Sequence, residues 1–371
     1  MALGWLLGAV LLPLLVAGAG FLVYQWKQQR ELAVTHLQDH ARTLQRAVDR
    51  ELSLDLAVLR ALAASREIDR GDWRAFDALA AEAAAVRPGS WFVLYERSGQ
   101  MVVNSSVPFG NGPLPNFRAL RADGPDVEWE GRNIPKAGAN FAAPFETASP
   151  SFTGLMYAPI LRRPAVVTVV PVFRERQPVY ALSLVYSSRF FDELLRAERD
   201  PGVTTALLDQ RGVFIARNPD SEKFVGRVGP APFDHGAAQL PRAGVGEGLN
   251  VESIPVVYAF SRSEVTDYVV AAGMPRSAVL APAWRALWLS LSVLLSAGAL
   301  GTVFAIRLWR RVGTPLTALA EQARSLGESH GEIAATGIDE VDALRTPLAT
   351  LACTRRGCHG CCRAVRSTRR A

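Results

Sequence analysis

The chain has 371 residues, 49% apolar and 20% charged, which excludes a disordered chain and allows roughly two or three domains. Its net charge of +6 is matched by Arg355, Arg356, Arg363, Arg366, Arg369 and Arg370 near the C-terminus. The rest is balanced, so the high pI gives no reason to expect nucleic acid as a partner. All four cysteines (Cys353, Cys358, Cys361 and Cys362) fall in that same tail, and the long middle region must fold on an apolar core without disulfides.

Leu3 to Tyr24 is almost continuously apolar, broken only by small residues and Pro13. That is about the length that crosses a ~30 Å hydrocarbon core. Trp5, Tyr24 and Trp26 stand near its ends, where aromatic rings favour the interface. Ala17-Gly18-Ala19 would suit a cleaved signal peptide. No basic region precedes it, however, and the apolar run continues past it, so an uncleaved anchor is expected.

From Gln28 to about Ser65 the pattern is helical, with Leu37, Ala41, Leu44, Val48, Leu52, Leu56 and Leu59 at three- and four-residue steps. At ~1.5 Å per residue this helix would rise about 55 Å. Its apolar stripe needs a partner: its own domain, a second copy of the chain, or both in succession.

A hairpin is expected next, with strands Trp91 to Tyr95 and Met101 to Val103 about Arg97-Ser98-Gly99. The same unit recurs at Thr204 to Leu208 and Val213 to Ala216 about Gln210-Arg211-Gly212. Aligning Gly99 with Gly212 places Glu96 over Asp209 and Leu94 over Leu207. Glycine supplies a positive φ and a carboxylate can bond turn amides. Each hairpin is followed by an irregular stretch and two further strands: Ala165 to Phe173 with Val179 to Tyr186, then Pro255 to Phe260 with Tyr268 to Ala272. Two similar α/β lobes in series are therefore predicted. Between them Phe190, Phe191, Leu194 and Leu195 mark a short amphipathic helix, with Ser188 as its cap.

Ala286 to Ile306 is a second uncharged run, followed at once by Arg307, Arg310 and Arg311. The positive-inside rule then places both ends in the cytoplasm and 27–284 outside. Past the arginines, Leu316, Leu319, Ala320, Ala323 and Leu326 predict one amphipathic helix, with Thr314 as cap and Pro315 in its first turn. A polar connector leads to a second, from Ile338-Asp339-Glu340-Val341 through Leu344, Leu348 and Leu351. Pro347 would kink or end it, at on the order of 3 kcal/mol.

This layout resembles the double Cache family of bacterial membrane sensors. The resemblance rests on Leu207 to Arg217 as the first hairpin of a lobe and Pro171 to Leu184 as closing strands, and covers roughly 28–280. The linker resembles a HAMP domain, a dimeric four-helix relay, by its proline and by the acidic pair Asp339-Glu340. The implied fold is α+β. It has a cytoplasmic start and membrane helix at 1–26, a stalk helix at 27–65, a membrane-distal PAS-like lobe at 66–198 and a membrane-proximal one at 199–284. A second membrane helix at 285–306, a HAMP-like linker at 307–351 and a basic tail at 352–371 complete it.

The implied function is a signal-transduction receptor of the bacterial inner membrane, with a periplasmic sensor region that binds a small molecule. Its parents in this resemblance are sensor histidine kinases of two-component systems. The expected partners are that ligand, the lipid bilayer and a second copy of the chain. No cofactor and no catalytic constellation are expected, and no amino-acid-binding signature is visible. Cys353, Cys358, His359, Cys361 and Cys362 could bind zinc, but their spacing fits no standard site. The abrupt switch to Arg, Cys and Gly reads instead as translation in a shifted frame, leaving the kinase core absent. A non-catalytic partner subunit of an intact receptor is the alternative.

Tyr95, Asn104, Arg118, Tyr157, Thr168 and Tyr186 are the candidate ligand contacts, since a pocket needs aromatic walls and a few aimed polar groups. Gly244-Val245-Gly246-Glu247-Gly248 is expected in a polar loop rather than a phosphate cradle. His36 and His40 share a helix face but lack a third metal ligand, and Asp234-His235 lacks a nucleophile.

Overall fold

The computed structural model describes residues 2–120, 126–135, 141–308 and 310–311. The chain divides into two units, Met1–Arg285 and Ala286–Ala371.

The first unit opens with helix α1, Ala2–Ala63, longer than the stalk because it continues from the apolar N-terminal run. Its buried stripe is Leu37, Ala41, Leu44, Val48, Leu52, Leu59 and Leu62. One position departs from the expected pattern: Asp55, not Leu56, takes the fully buried step between Leu52 and Leu59. Two short helices follow, α2 at Arg66–Arg70 and α3 at Trp73–Ala85. The Asp72 carboxylate caps α3 by accepting from the Ala75 amide at 3.0 Å, a contact worth about 1 kcal/mol.

The first lobe comprises β1 (Ser90–Glu96), β2 (Met101–Asn104), α4 (Phe117–Leu120), β3 (Val127–Trp129), β4 (Arg132–Ile134), α5 (Ala143–Thr147), β5 (Ser151–Phe152), β6 (Met156–Ala158), β7 (Arg163–Arg174) and β8 (Gln177–Ser187). Its sheet runs β2-β1-β8-β7-β5, with β6 also on β7. Helix α6, Ser188–Ala197, leads onward. The residue at its cap is Ser187 rather than Ser188, and its side chain makes no capping bond.

The second lobe comprises β9 (Thr204–Leu208), β10 (Phe214–Asn218), α7 (Ser221–Phe224), β11 (Ala243–Leu249), β12 (Pro255–Arg262) and β13 (Val269–Pro275). Its order, β10-β9-β13-β12-β11, repeats that of the first lobe. The duplication extends to single hydrogen bonds. Gly99 N donates to Glu96 O and Gly212 N to Asp209 O, both at 2.9 Å. Glu96 N reaches Gln100 O and Asp209 N reaches Val213 O in the same way. Both glycines have positive φ, +88° and +79°, as the two turns require.

The glycine-rich segment at 244–248 is a correction: it forms edge strand β11, not a loop. Its alternate glycines face aromatic rings on β12, pairing Gly244 with Phe260 and Gly246 with Tyr258. A Cβ on Gly244 would come within 2.8 Å of the Phe260 ring. Glycine here makes room for rings that cover the strand.

Helix α1 backs both sheets. Leu44 to Leu62 share one cluster with Phe92, Leu94, Val166 and Leu182 of the first lobe and Leu207, Ile215 and Val270 of the second. Leu37 and Ala41 pack with Val257, Ala259 and Ala272 of the second. Helix α8, Arg276–Leu308, is long and apolar enough to cross a membrane. Most of the linker expected at 307–351, and all of the tail at 352–371, lie outside the described residues.

Candidate ligand cavity

Side chains alternate across a strand, so each strand of the first sheet serves two environments. Phe92, Leu94, Val166, Val170 and Leu184 face α1 and α3. Trp91, Val93, Tyr95, Ala165, Val167, Val169 and Val185 form a separate cluster on the other face. The registers Trp91↔Val185, Val93↔Ser183 and Val167↔Val185 hold these walls side by side.

Leu114, Phe117, Phe141, Phe145, Met156 and Ile160, from the segment between β2 and β7, pack onto this second face. Together they line a partly open cavity of about 70 Å³, whose walls include Phe117, Phe141, Met156, Pro159, Ile160 and Leu161. One water needs only ~10–15 Å³, so a small organic molecule is the better match. Phe117 meets Tyr95 edge-on at 4.9 Å and stacks on Phe141 at 6.2 Å. The polar lining is sparse: Tyr95, Asn104, Thr153 and Ser183. Tyr95 donates its hydroxyl to the Phe141 carbonyl at 3.2 Å, and burial pushes its pKa far up, so the phenol stays neutral. Thr153 Oγ1 accepts from the Val167 amide at 3.0 Å. Asn104 Oδ1 accepts from the amide and hydroxyl of Ser106, at 3.0 and 2.6 Å.

Of the six residues singled out in the sequence, Tyr95 and Asn104 line this cavity. Arg118 is exposed, with its guanidinium 5.9 Å from the Phe141 ring. Tyr157 packs instead with Ile134, Leu155 and Val225. Thr168 and Tyr186 do not join the cavity, because each lies one residue out of phase with its wall residues. Tyr186 turns toward α1 and donates to Asp55 Oδ2 at 2.7 Å. Arg87 completes that buried cluster, with its Nε 2.6 Å from Asp55 Oδ1 and its Nη1 2.9 Å from Glu51. Burial raises the Asp55 pKa, opposed by the Tyr186 hydrogen bond and the Arg87 charge. Trp91, Phe117, Phe141, Met156 and Ser183 escaped the sequence reading. The one available signal was two-residue spacing, which puts Trp91 and Val93 on the face of Tyr95.

Residues 152–156 connect this cavity to the second lobe. Thr153 and Met156 line it. Between them, the Leu155 amide donates to Asp209 Oδ2 at 2.9 Å, and Arg211 Nη2 donates to the Leu155 carbonyl at 2.7 Å. Tyr268 donates to the Thr153 carbonyl at 2.6 Å and Gln210 to the Phe152 carbonyl at 3.3 Å. A Cβ on Gly154 would stand 2.5 Å from Asp209 Oδ2, so only glycine permits this approach.

Among the described residues, no group of three or more His, Cys, Asp or Glu could hold a metal ion. His36 Nε2 lies 3.2 Å from Asp200, and its ring stacks on His40 at 6.5 Å.

No protein-family model and no curated protein matches the chain. Solved structures do. The extracellular domain assigned to the histidine kinase rpHK1S-Z16 superposes with a TM-score of 0.51 at 15% identity, covering 67% of this chain and 97% of that one. The ligand-binding domain of the Pseudomonas fluorescens chemoreceptor CtaA, in complex with L-isoleucine, gives 0.50 at 14% identity, covering 69% and 98%. The same domain with L-serine gives 0.50 at 13% identity, covering 67% and 99%. The likeness is one of fold: the two-lobed region has the architecture of the Cache-type sensor domains of histidine kinases and chemoreceptors.

Proposed function

We propose that this chain is the sensing and relay part of a transmembrane signal-transduction receptor of the histidine kinase type. A small molecule occupies the first-lobe cavity, and the change is passed to the second lobe and then toward the membrane. The observation that carries this reading is the sharing of one segment. Residues 152–156 form part of the cavity wall and also the hydrogen-bonded seam with Asp209, Gln210, Arg211 and Tyr268. A ligand that binds differently to two arrangements of that segment shifts their balance.

In this reading Leu3 to Tyr24 and Ala286 to Ile306 both span the inner membrane, with the two lobes periplasmic. Arg307, Arg310 and Arg311 set the orientation. The HAMP-like segment at 307–351 relays the signal in a homodimer, and no enzymatic step is assigned to this chain. Calorimetry of the full chain in lipid nanodiscs against a metabolite panel tests the proposal. Saturable binding that Ala165→Phe removes is the expected result, because that side chain would fill the cavity. A panel that never binds, together with co-purification of an intact receptor, would replace sensing by the partner-subunit role.

A further inference from the structure

We infer that the first-lobe cavity selects an uncharged, largely apolar small molecule carrying one or two hydrogen-bonding groups, and excludes zwitterionic amino acids and carboxylates. The inference rests on the sensing role proposed above and names the chemistry of its ligand.

Among the described residues, no Asp, Glu, Lys, Arg or His lines the cavity. Two guanidinium groups of this lobe lie over aromatic rings: Arg118 is 5.9 Å from the Phe141 ring and Arg97 is 5.9 Å from the Phe145 ring. A carboxylate or ammonium among Trp91, Val93, Val167 and Val169 would lose its hydration and meet no counter-charge among the described lining residues. Such a burial lowers affinity by on the order of a thousandfold.

The polar lining is also largely occupied. Tyr95 donates to Phe141, Thr153 accepts from Val167, and Asn104 Oδ1 accepts twice from Ser106. Ser183 shares a hydrogen bond with Tyr95, so what is left for a ligand is three donors, the Asn104 amide nitrogen, the Trp91 indole N–H and the Thr153 hydroxyl proton, enough for one or two acceptor groups. Met101 and Met156 add polarizable thioethers that suit an aromatic or aliphatic ring. An apolar group against Trp91, Val93, Val167 and Val169 strands no polar atom on that wall, whereas a charge there gives up its hydration.

The experiment titrates the full chain in nanodiscs with benzyl alcohol and indole, and in parallel with L-isoleucine, L-serine and succinate. Ala165→Phe serves as the blank for partition into lipid. A small neutral diazirine, phenyldiazirine, is photolysed with the wild-type chain, and labelled peptides are mapped by mass spectrometry. The neutral probes are expected to bind saturably, at least about tenfold more weakly to Ala165→Phe. The label is expected in the peptides of β1, β7 and β8. Should Ala165→Phe not fold, the labelling decides alone, and label confined to the two apolar helical runs overturns the site. Binding of L-isoleucine, L-serine or succinate that Ala165→Phe abolishes overturns the ligand class and leaves the sensing role standing. Failure of both classes to bind overturns this inference and the sensing role together.

Discussion

Replacing Asp209 tests the seam most directly. The carboxylate is fully buried, and its two oxygens do different work. Oδ1 accepts from the amides of Arg211 and Val213, both at 2.9 Å, and so shapes its own turn. Oδ2 accepts from the Leu155 amide of the other lobe at 2.9 Å and from Arg211 Nη2 at 2.8 Å. Asp209→Asn keeps an acceptor for the turn but presents an NH2 to Leu155, leaving that buried amide unpaired. One such amide costs about 1–3 kcal/mol, while the half-exposed Arg211 can turn to water, so about 2 kcal/mol is expected in total. Asp209→Ala also strips the turn and is expected to cost about 3–5 kcal/mol. Hydrogen–deuterium exchange resolves the two effects. Asp209→Asn should raise exchange in the peptide containing Leu155 and spare the amides of Arg211 and Val213. Unchanged exchange at Leu155, with a loss within the ~0.5 kcal/mol of an ordinary surface substitution, would refute the seam.

Three further outcomes are expected. Asp49 accepts from Ser263 Oγ at 2.6 Å, yet burial raises its pKa above the usual 3.8. The folded state therefore holds this proton more tightly than the unfolded state, and the group's contribution falls as pH rises from 3.8 through the raised value. Asp49→Asn should gain on the wild type in urea unfolding as pH rises above about 4, and a pH-independent difference would count against the assignment. Asp55→Ala should cost about 3–5 kcal/mol by stranding Arg87 and Tyr186, against about 1–2 kcal/mol for Tyr186→Phe, and the reverse ranking in urea unfolding would be decisive against it. Gly246→Ala drives a methyl into the Tyr258 ring and should destabilise by about 1–3 kcal/mol, while being near neutral in a Tyr258→Ala background, as a double-mutant cycle would read.

The duplication was legible because the information lay in local chemistry. Gly99 and Gly212 each need a positive φ, and each closes a turn around a residue that makes the same backbone bonds. Strand β11 was hidden because alternate glycines erase the period-two pattern by which strands are recognised. Asp55 was hidden as a core residue because a carboxylate interrupts an apolar stripe unless its partners are known, and both arrive from distant sequence. Thr168 and Tyr186 show a different limit. Once Tyr95 faces the cavity, its opposite residue Ala181 does too, and the parity along β8 excludes Tyr186. That step needs the strand register, which a one-residue shift would reverse and which composition does not encode.

The seam and the helix differ in strength, and this bears on where a signal can act. Leu44, Leu52 and Leu59 of α1 are fully buried or nearly so in a cluster that takes in both lobes, and Leu37 in one with the second lobe. At about 1.5–3 kcal/mol for each of these four leucines, lifting α1 from the two lobes far exceeds a typical ligand coupling of about 1–3 kcal/mol. The seam bonds from Leu155, Gln210 and Tyr268 contribute only about 0.5–1.5 kcal/mol each, which a ligand can match. In the proposed sensing role α1 is therefore the fixed back of both lobes, and residues 152–156 are the part that moves. The sign follows from the same segment. A ligand that draws Thr153 and Met156 into the cavity pulls Leu155 from Asp209 and raises exchange at its amide. A ligand that wedges the wall outward presses the seam closed and lowers it. Exchange unchanged at Leu155 on saturation would move the coupling back to α1 and require the helix itself to shift.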